Sequence, residues 1–106
     1  MNRRDVPITD VACFHSQQCA EKYLKAFLQE QRIRFTRTHA LFLLLDQCKS
    51  VNTEFESIRK YLERLDNYAV ATRYPGAKIT NEMAQSAISA ATRVRTFVRD
   101  KLNLPK

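Results

Sequence analysis

Apolar residues recur along this chain at three- and four-residue intervals, the spacing that places them on one side of an α-helix. From about Val11 to Gln31, Cys13, Ala20, Leu24 and Phe27 form a stripe, with Gln17 inside it and Phe14, Tyr23 and Leu28 widening it. Thr9 or Asp10 is placed to cap this first helix by accepting from its unpaired N–H groups. Residues 1–8 are polar, contain Pro7 and read as a lead-in arm. The stretch 32–38, RIRFTRT, breaks the pattern. A second helix is predicted over 39–49, with Leu41, Leu44, Leu45 and Cys48 as its stripe and Thr38 as cap. Phe42 and Leu43 make it apolar nearly all round, so it needs cover on most faces, and a partner subunit could supply part of that cover.

A third helix is predicted over 54–71, capped by Asn52 or Thr53 and buried through Phe55, Ile58, Leu62, Leu65 and Ala69. It ends at TRYPGAK, where Pro75 removes a donor and Gly76 frees the backbone. Thr80 or Asn81 caps a fourth helix, with Glu82 near its positive end. Met83, Ala87, Ile88, Ala91, Val94, Phe97 or Val98, and Leu102 mark its inner face, and Asn103-Leu104-Pro105 stops it. Four helices on short joints predict an all-α, antiparallel, up-and-down four-helix bundle. A length of 106 residues argues for a single domain over 1–106. One glycine and three prolines agree, because a β-rich chain needs turn residues far more often.

The net charge of +7 bears on partners, not on fold. A small basic domain meets phosphate, as nucleic acid or nucleotide, or an acidic protein surface; general solubility explains the same charge. Basic residues are densest at Arg32, Arg34 and Arg37, and again at Arg93, Arg95, Arg99 and Lys101. The three cysteines show no CxxC spacing, no signal peptide precedes them, and no apolar run approaches the ~18 residues of a membrane span. A reducing cytoplasm is the expected setting. His15 and Cys19, at i and i+4, could share a metal ion, but two ligands are too few, so neither a metal nor a cofactor is expected. Cysteine as a small core residue is the better reading.

The first helix carries an unusual density of polar groups, FHSQQCAEKYLKAFL at 14–28. One reading is a solvated face, with Glu21 and Lys25 as an i,i+4 pair that contributes a few tenths of a kcal/mol. The other is a polar groove, in which Gln18 reads a base edge and Lys22 meets phosphate. Arg73 and Tyr74 would then supply a guanidinium and an aromatic plate at its end. The groove reading requires Gln18, Lys22 and Arg73 to converge on one cationic cleft. Arg73 as a carbonyl cap and Tyr74 as packing over helix ends is the structural alternative.

Three blocks in order carry a family resemblance: Phe14, His15, Gln18, Ala20, Glu21, Lys22, Lys25 and Ala26; then Thr38 and His39 opening a leucine-rich helix; then Arg73, Tyr74 and Pro75. Together they resemble the HEPN domain (higher eukaryotes and prokaryotes nucleotide-binding) over residues 11–102. Two departures stand out. The family usually places another helix before the His-Gln helix, where this chain has a short stretch, as in a shortened member, a fragment, or a member whose helix is replaced by a partner. Ala40 stands where the family often has Asp.

The resemblance implies binding of nucleotide or RNA through His15, Gln18, Lys22, Lys25, Arg73 and Tyr74. It further implies a toxin–antitoxin-like pairing with a minimal nucleotidyltransferase; a homodimer is expected as well, with the nearly all-apolar second helix as a motive. A second implied activity is that of a metal-independent ribonuclease marked by Arg-x(4–6)-His. In that chemistry a histidine moves a proton at the ribose 2′-OH and an arginine offsets the charge on phosphate. Arg34 and His39 match this spacing, as do Arg32 and His39, but at the joint before the second helix instead of near the later helices, where no histidine follows Arg73. His39 as a first-turn residue tying that joint to a neighbouring helix is the structural alternative. A non-catalytic helical dimerisation or adaptor module is the third expectation.

Overall fold

The computed structural model describes residues 8–35, 37–71 and 78–104. Among them are helices α1 (Ile8–Glu30), α2 (Leu41–Val51), α3 (Arg59–Ala71) and α4 (Asn81–Lys101), a 3₁₀ segment at Thr53–Ile58, and no strand. The fold is an all-α four-helix bundle.

α1 begins at Ile8, earlier than Val11, so Thr9 and Asp10 lie in its first turn instead of capping it. Ile8 is therefore helical, and the rest of the expected lead-in arm lies outside the described residues. The buried line is Cys13, Ser16, Ala20, Leu24 and Phe27, flanked by Glu21 and Leu28. Ser16, not Gln17, is the polar member of the stripe, because it stands three residues from Cys13 and four from Ala20. Phe14 is 56 % exposed and does not widen the core.

The C-terminus of α1 closes with Ile33 N–H donating to the Leu28 carbonyl (2.9 Å) and Arg32 N–H to that of Gln29 (3.0 Å). This is a Schellman turn, and its left-handed position is filled by Arg32 (φ 58°) where glycine is the usual occupant. Ile33 is half-buried and completes the turn by packing on the core. The turn sends the chain back along α1. Phe35 comes to lie over Lys25, and His39 reaches Glu21.

α2 then advances along α1 in the same direction, from His39 beside Glu21 to Cys48, whose thiol points at the Leu24 carbonyl (3.7 Å). Leu41, Leu44, Leu45 and Cys48 are buried as predicted, and Leu43 is 52 % exposed. The helix starts at Leu41 instead of His39. Its N-cap, Ala40, has extended backbone and no capping side chain. Thr38 Oγ1 accepts from Ala40 N–H (3.0 Å), so the hydroxyl closes a turn before the helix instead of capping it.

The helix predicted over 54–71 forms in two pieces. Asn52 caps the first, its side chain accepting from Glu54 N–H (2.9 Å). A 3₁₀ segment turns in three residues, so Phe55 and Ile58 eclipse and both enter the core. Phe55 is fully buried, with its ring 4.5 Å from Phe27 and 5.0 Å from Phe97. This aromatic knot ties α1, the 3₁₀ segment and α4 at one level.

α4 is capped by Thr80, whose hydroxyl accepts from Met83 N–H (3.1 Å). Ala84, Ala87, Ala90 and Ala91 are buried along its inner face, and Ile88 is exposed. Small residues allow close approach, and α1 makes its most extensive contact with α4. These two helices run the same way, as the bond from Arg99 to the Tyr23 hydroxyl (3.2 Å) and the Phe27–Phe55–Phe97 knot show. α3 and α4 are antiparallel neighbours: Glu54 and Phe55, where the 3₁₀–α3 run begins, meet Lys101 and Phe97 near the end of α4. The expected up-and-down order is therefore not the one found: Phe35 lies level with Lys25 and His39 with Glu21, so the chain has already travelled back along α1 before α2 starts, and α2 runs the same way as α1.

Candidate functional site

Glu21 lies beside the buried stripe of α1, three residues before Leu24, on the flank that faces the returning connector. Its Oε2 accepts from Lys25 Nζ at 2.9 Å and lies 2.9 Å from His39 Nδ1. The Glu21 side chain is 12 % exposed and that of His39 85 %. Burial alone raises the Glu21 carboxyl, but the hydrogen bonds of Lys25 and His39 outweigh it and hold the group below its ordinary value. Glu21 is therefore ionised at neutral pH. A carboxylate only accepts, so His39 Nδ1 is the donor; in a neutral ring with that tautomer Nε2 is an acceptor.

Around this carboxylate is a cleft of about 380 Å³ lined by Phe14, Gln17, Gln18, Glu21 and His39. Its size lies at the lower end of small-molecule sites. The amides offer donors and acceptors, Glu21 and His39 offer acceptors, and Phe14 offers a ring.

The predicted site residues divide among several places. Gln18 and His39 line the cleft, and Lys25 holds its floor through Glu21. His15 continues the line of Ala12 and Cys19, whereas Gln18 continues that of Phe14 and Glu21. His15 accordingly lines a separate hollow of about 340 Å³ between α1 and α4, with Ser16, Cys19, Ile88 and Arg95. Lys22 is exposed on the ridge between the two hollows. Arg34 is exposed; its carbonyl accepts from Gln47 Nε2 at 3.4 Å, and no contact among the described residues joins its guanidinium to His39. Arg73 and Tyr74 lie outside the described residues, so of the three residues expected to converge, Gln18 lines the cleft and Lys22, exposed, does not.

Glu21 is the residue that sequence reasoning missed as an anchor. Read as half of a surface pair with Lys25, it is nearly buried and has a second partner from the connector. Its position next to the apolar stripe was the available signal. Cys13 and Cys48 are core residues, and burial pushes the Cys48 thiol up to about 12. Among the described residues no group of three or more His, Cys, Asp or Glu is placed to hold a metal ion, and no helix is long and apolar enough to cross a membrane.

No curated protein and no solved structure matches the chain. The family model for the HEPN domain matches residues 4–101. That match supports a nucleotide- or RNA-related function in general terms. Spanning nearly all of the bundle just described, it establishes that the chain belongs to the HEPN domain family.

Proposed function

We propose that this HEPN domain binds a nucleotide, or a nucleotide unit of RNA, in the Glu21–His39 cleft. The observation that carries the reading is a nearly buried, ionised carboxylate held by Lys25 and His39 beneath a cleft lined by two amides and a phenyl ring. A carboxylate repels phosphate and accepts from hydroxyl or amino groups. The nucleoside therefore faces Glu21, with Gln17 and Gln18 on its polar edges and Phe14 against its plane, and the phosphate is directed outward towards Lys22. Titration of nucleoside monophosphates into labelled protein, followed by NMR, tests this. The side-chain amides of Gln17 and Gln18 should move, and Gln18→Ala should weaken the binding. Shifts that leave both amides unmoved at millimolar nucleotide would refute the assignment.

Ribonuclease activity is the second reading, favoured by one observation. A histidine whose Nδ1 donates to an ionised carboxylate has its orientation and tautomer set, with Nε2 free to take a proton from a 2′-OH. Arg34, Arg73 or another cation would have to supply the phosphate contact. Purified protein should then cut RNA in EDTA, and His39→Ala should abolish the cutting; activity that survives in the variant removes His39 from the mechanism.

The pairing with a minimal nucleotidyltransferase, its toxin–antitoxin-like arrangement and a cytoplasmic setting are proposed from the sequence resemblance and the thiol chemistry. Homodimer formation draws support from Ile8 (82 % exposed), Val11 and Phe14, apolar residues uncovered at one end of α1. Co-purification with the nucleotidyltransferase and the mass in solution test these two associations.

A further inference from the structure

A larger hollow of about 570 Å³ lies where the 3₁₀ segment and α3 meet α4. It shares no residue with the Glu21 cleft. Its walls carry Lys60 and Arg93, the hydroxyls of Ser57, Thr92 and Thr96, and the rings of Tyr61 and Phe97, and no acid. Lys60 Nζ lies 5.3 Å from the centroid of the Tyr61 ring and the Arg64 guanidinium 5.7 Å from it, so the ring gathers one cation of the wall and a second just outside the lining.

The acids of the adjoining 3₁₀ segment are turned to other cations. Glu54 pairs with Lys101, and Glu56 with Arg59 and Lys49. Glu63 and Asp100 do not line the hollow. Among the described residues Lys60, Arg64 and Arg93 make no ion pair. An ordinary solvated face intersperses the two signs. Here the positive charge is left uncompensated around hydroxyls and aromatic rings.

Thr92 also lines the hollow between α1 and α4 that contains His15 and Arg95. The two hollows therefore meet on the outer face of α4, and the basic surface continues across that helix. A path longer than one nucleotide suits a strand better than a mononucleotide.

We propose that this α3–α4 groove binds the phosphodiester backbone of single-stranded nucleic acid. Lys60, Arg64 and Arg93 meet successive phosphates, Ser57 and Thr96 donate hydroxyl hydrogens to phosphate oxygens, and Tyr61 and Phe97 form the apolar floor against which a base edge packs. A single strand can turn its bases onto the rings of Tyr61 and Phe97 while its phosphates meet the cations, whereas a duplex keeps its bases paired and stacked and offers those rings nothing. The proposal goes beyond the nucleotide cleft and stands whether or not that cleft is occupied.

Anisotropy of a labelled oligouridylate over a range of salt concentrations tests it. The double variant Lys60→Gln/Arg93→Gln changes two exposed side chains, and its fold is checked by circular dichroism. It should bind about tenfold more weakly at physiological salt and lower the slope of log K against log salt by about 1.4, for two phosphates lost. The control Arg37→Gln/Lys78→Gln removes the same charge elsewhere and should keep the wild-type slope. Wild-type affinity in the groove variant would overturn the proposal. So would an equal loss in the control, which marks general electrostatics, or equal competition by polyglutamate or by duplex. Nucleotide shifts at the Gln17 and Gln18 amides should persist in the groove variant, which separates this result from the fate of the Glu21 cleft.

Discussion

The cleft over Glu21 and the groove beside Tyr61 are both polar hollows on one small bundle, and they are built on opposite electrostatic plans. In the first, one carboxylate is drawn into the protein and two cationic or polar side chains are spent on holding it. In the second, the neighbouring carboxylates are held away by Lys101, Arg59 and Lys49, and the cations at the wall are left unpaired among the described residues. The first is ordered by internal bonds and suits the hydroxyl and amide edges of a ligand. The second retains its charge for a ligand that carries charge. A net charge of +7 describes both equally and distinguishes neither.

The two hollows share one support, the aromatic knot. Phe55→Ala should cost about 3–5 kcal/mol, a large share of the stability of a domain this size, and should disorder both hollows together. A shift in denaturation midpoint accompanied by loss at only one hollow would show that the hollows are supported independently. The next effect separates them. Glu21→Ala removes two charge-assisted hydrogen bonds, with some solvent screening, and should cost about 2 kcal/mol. Lys60→Gln, on an exposed unpaired cation, should change stability by less than about 0.5 kcal/mol in the same urea titration.

Acid gives a third test. The folded pKa of Glu21 is depressed, so its contribution to stability is fully present above the ordinary value of 4.5 and is lost as pH falls through the lower native value. Glu56, held at about 2 by Arg59 and Lys49, acts in the same direction, so the informative quantity is wild type minus Glu21→Gln. That difference should shrink on acidification below the ordinary value. The corresponding difference for Lys60→Gln/Arg93→Gln should stay flat over the same range.

A small stabilising effect is expected at the turn that delivers His39. Arg32 occupies a left-handed position at a cost that glycine avoids, and Arg32→Gly should raise stability by about 0.5–1 kcal/mol. Ligand binding at both hollows should be unchanged; a loss at the Glu21 cleft alone would show that the Arg32 side chain itself helps to place the connector.

Much of the bundle is legible along the chain. The stripes of α2 and α3, the Asn52 and Thr80 caps and the core cysteines follow from local rules, because side-chain period and capping involve residues a few positions apart. The candidate site is less legible. Gln18 is identifiable from its block of polar residues, but its neighbour in space, His39, stands across a connector whose path no periodicity encodes. Phe14 looks like core by spacing and is exposed, since helical spacing gives a face but not what covers it.

Helix content, the Asn52 and Thr80 caps and basic charge were thus determined by the sequence alone, the first two through interactions that reach no further than one turn. Tertiary structure decided that α1 and α4 run the same way, that Phe55 and Ile58 share an inward edge on a 3₁₀ segment, and that Glu21 meets a histidine eighteen positions away. Each of these depends on where a reversing connector lays one element against another, and only the assembled core specifies that.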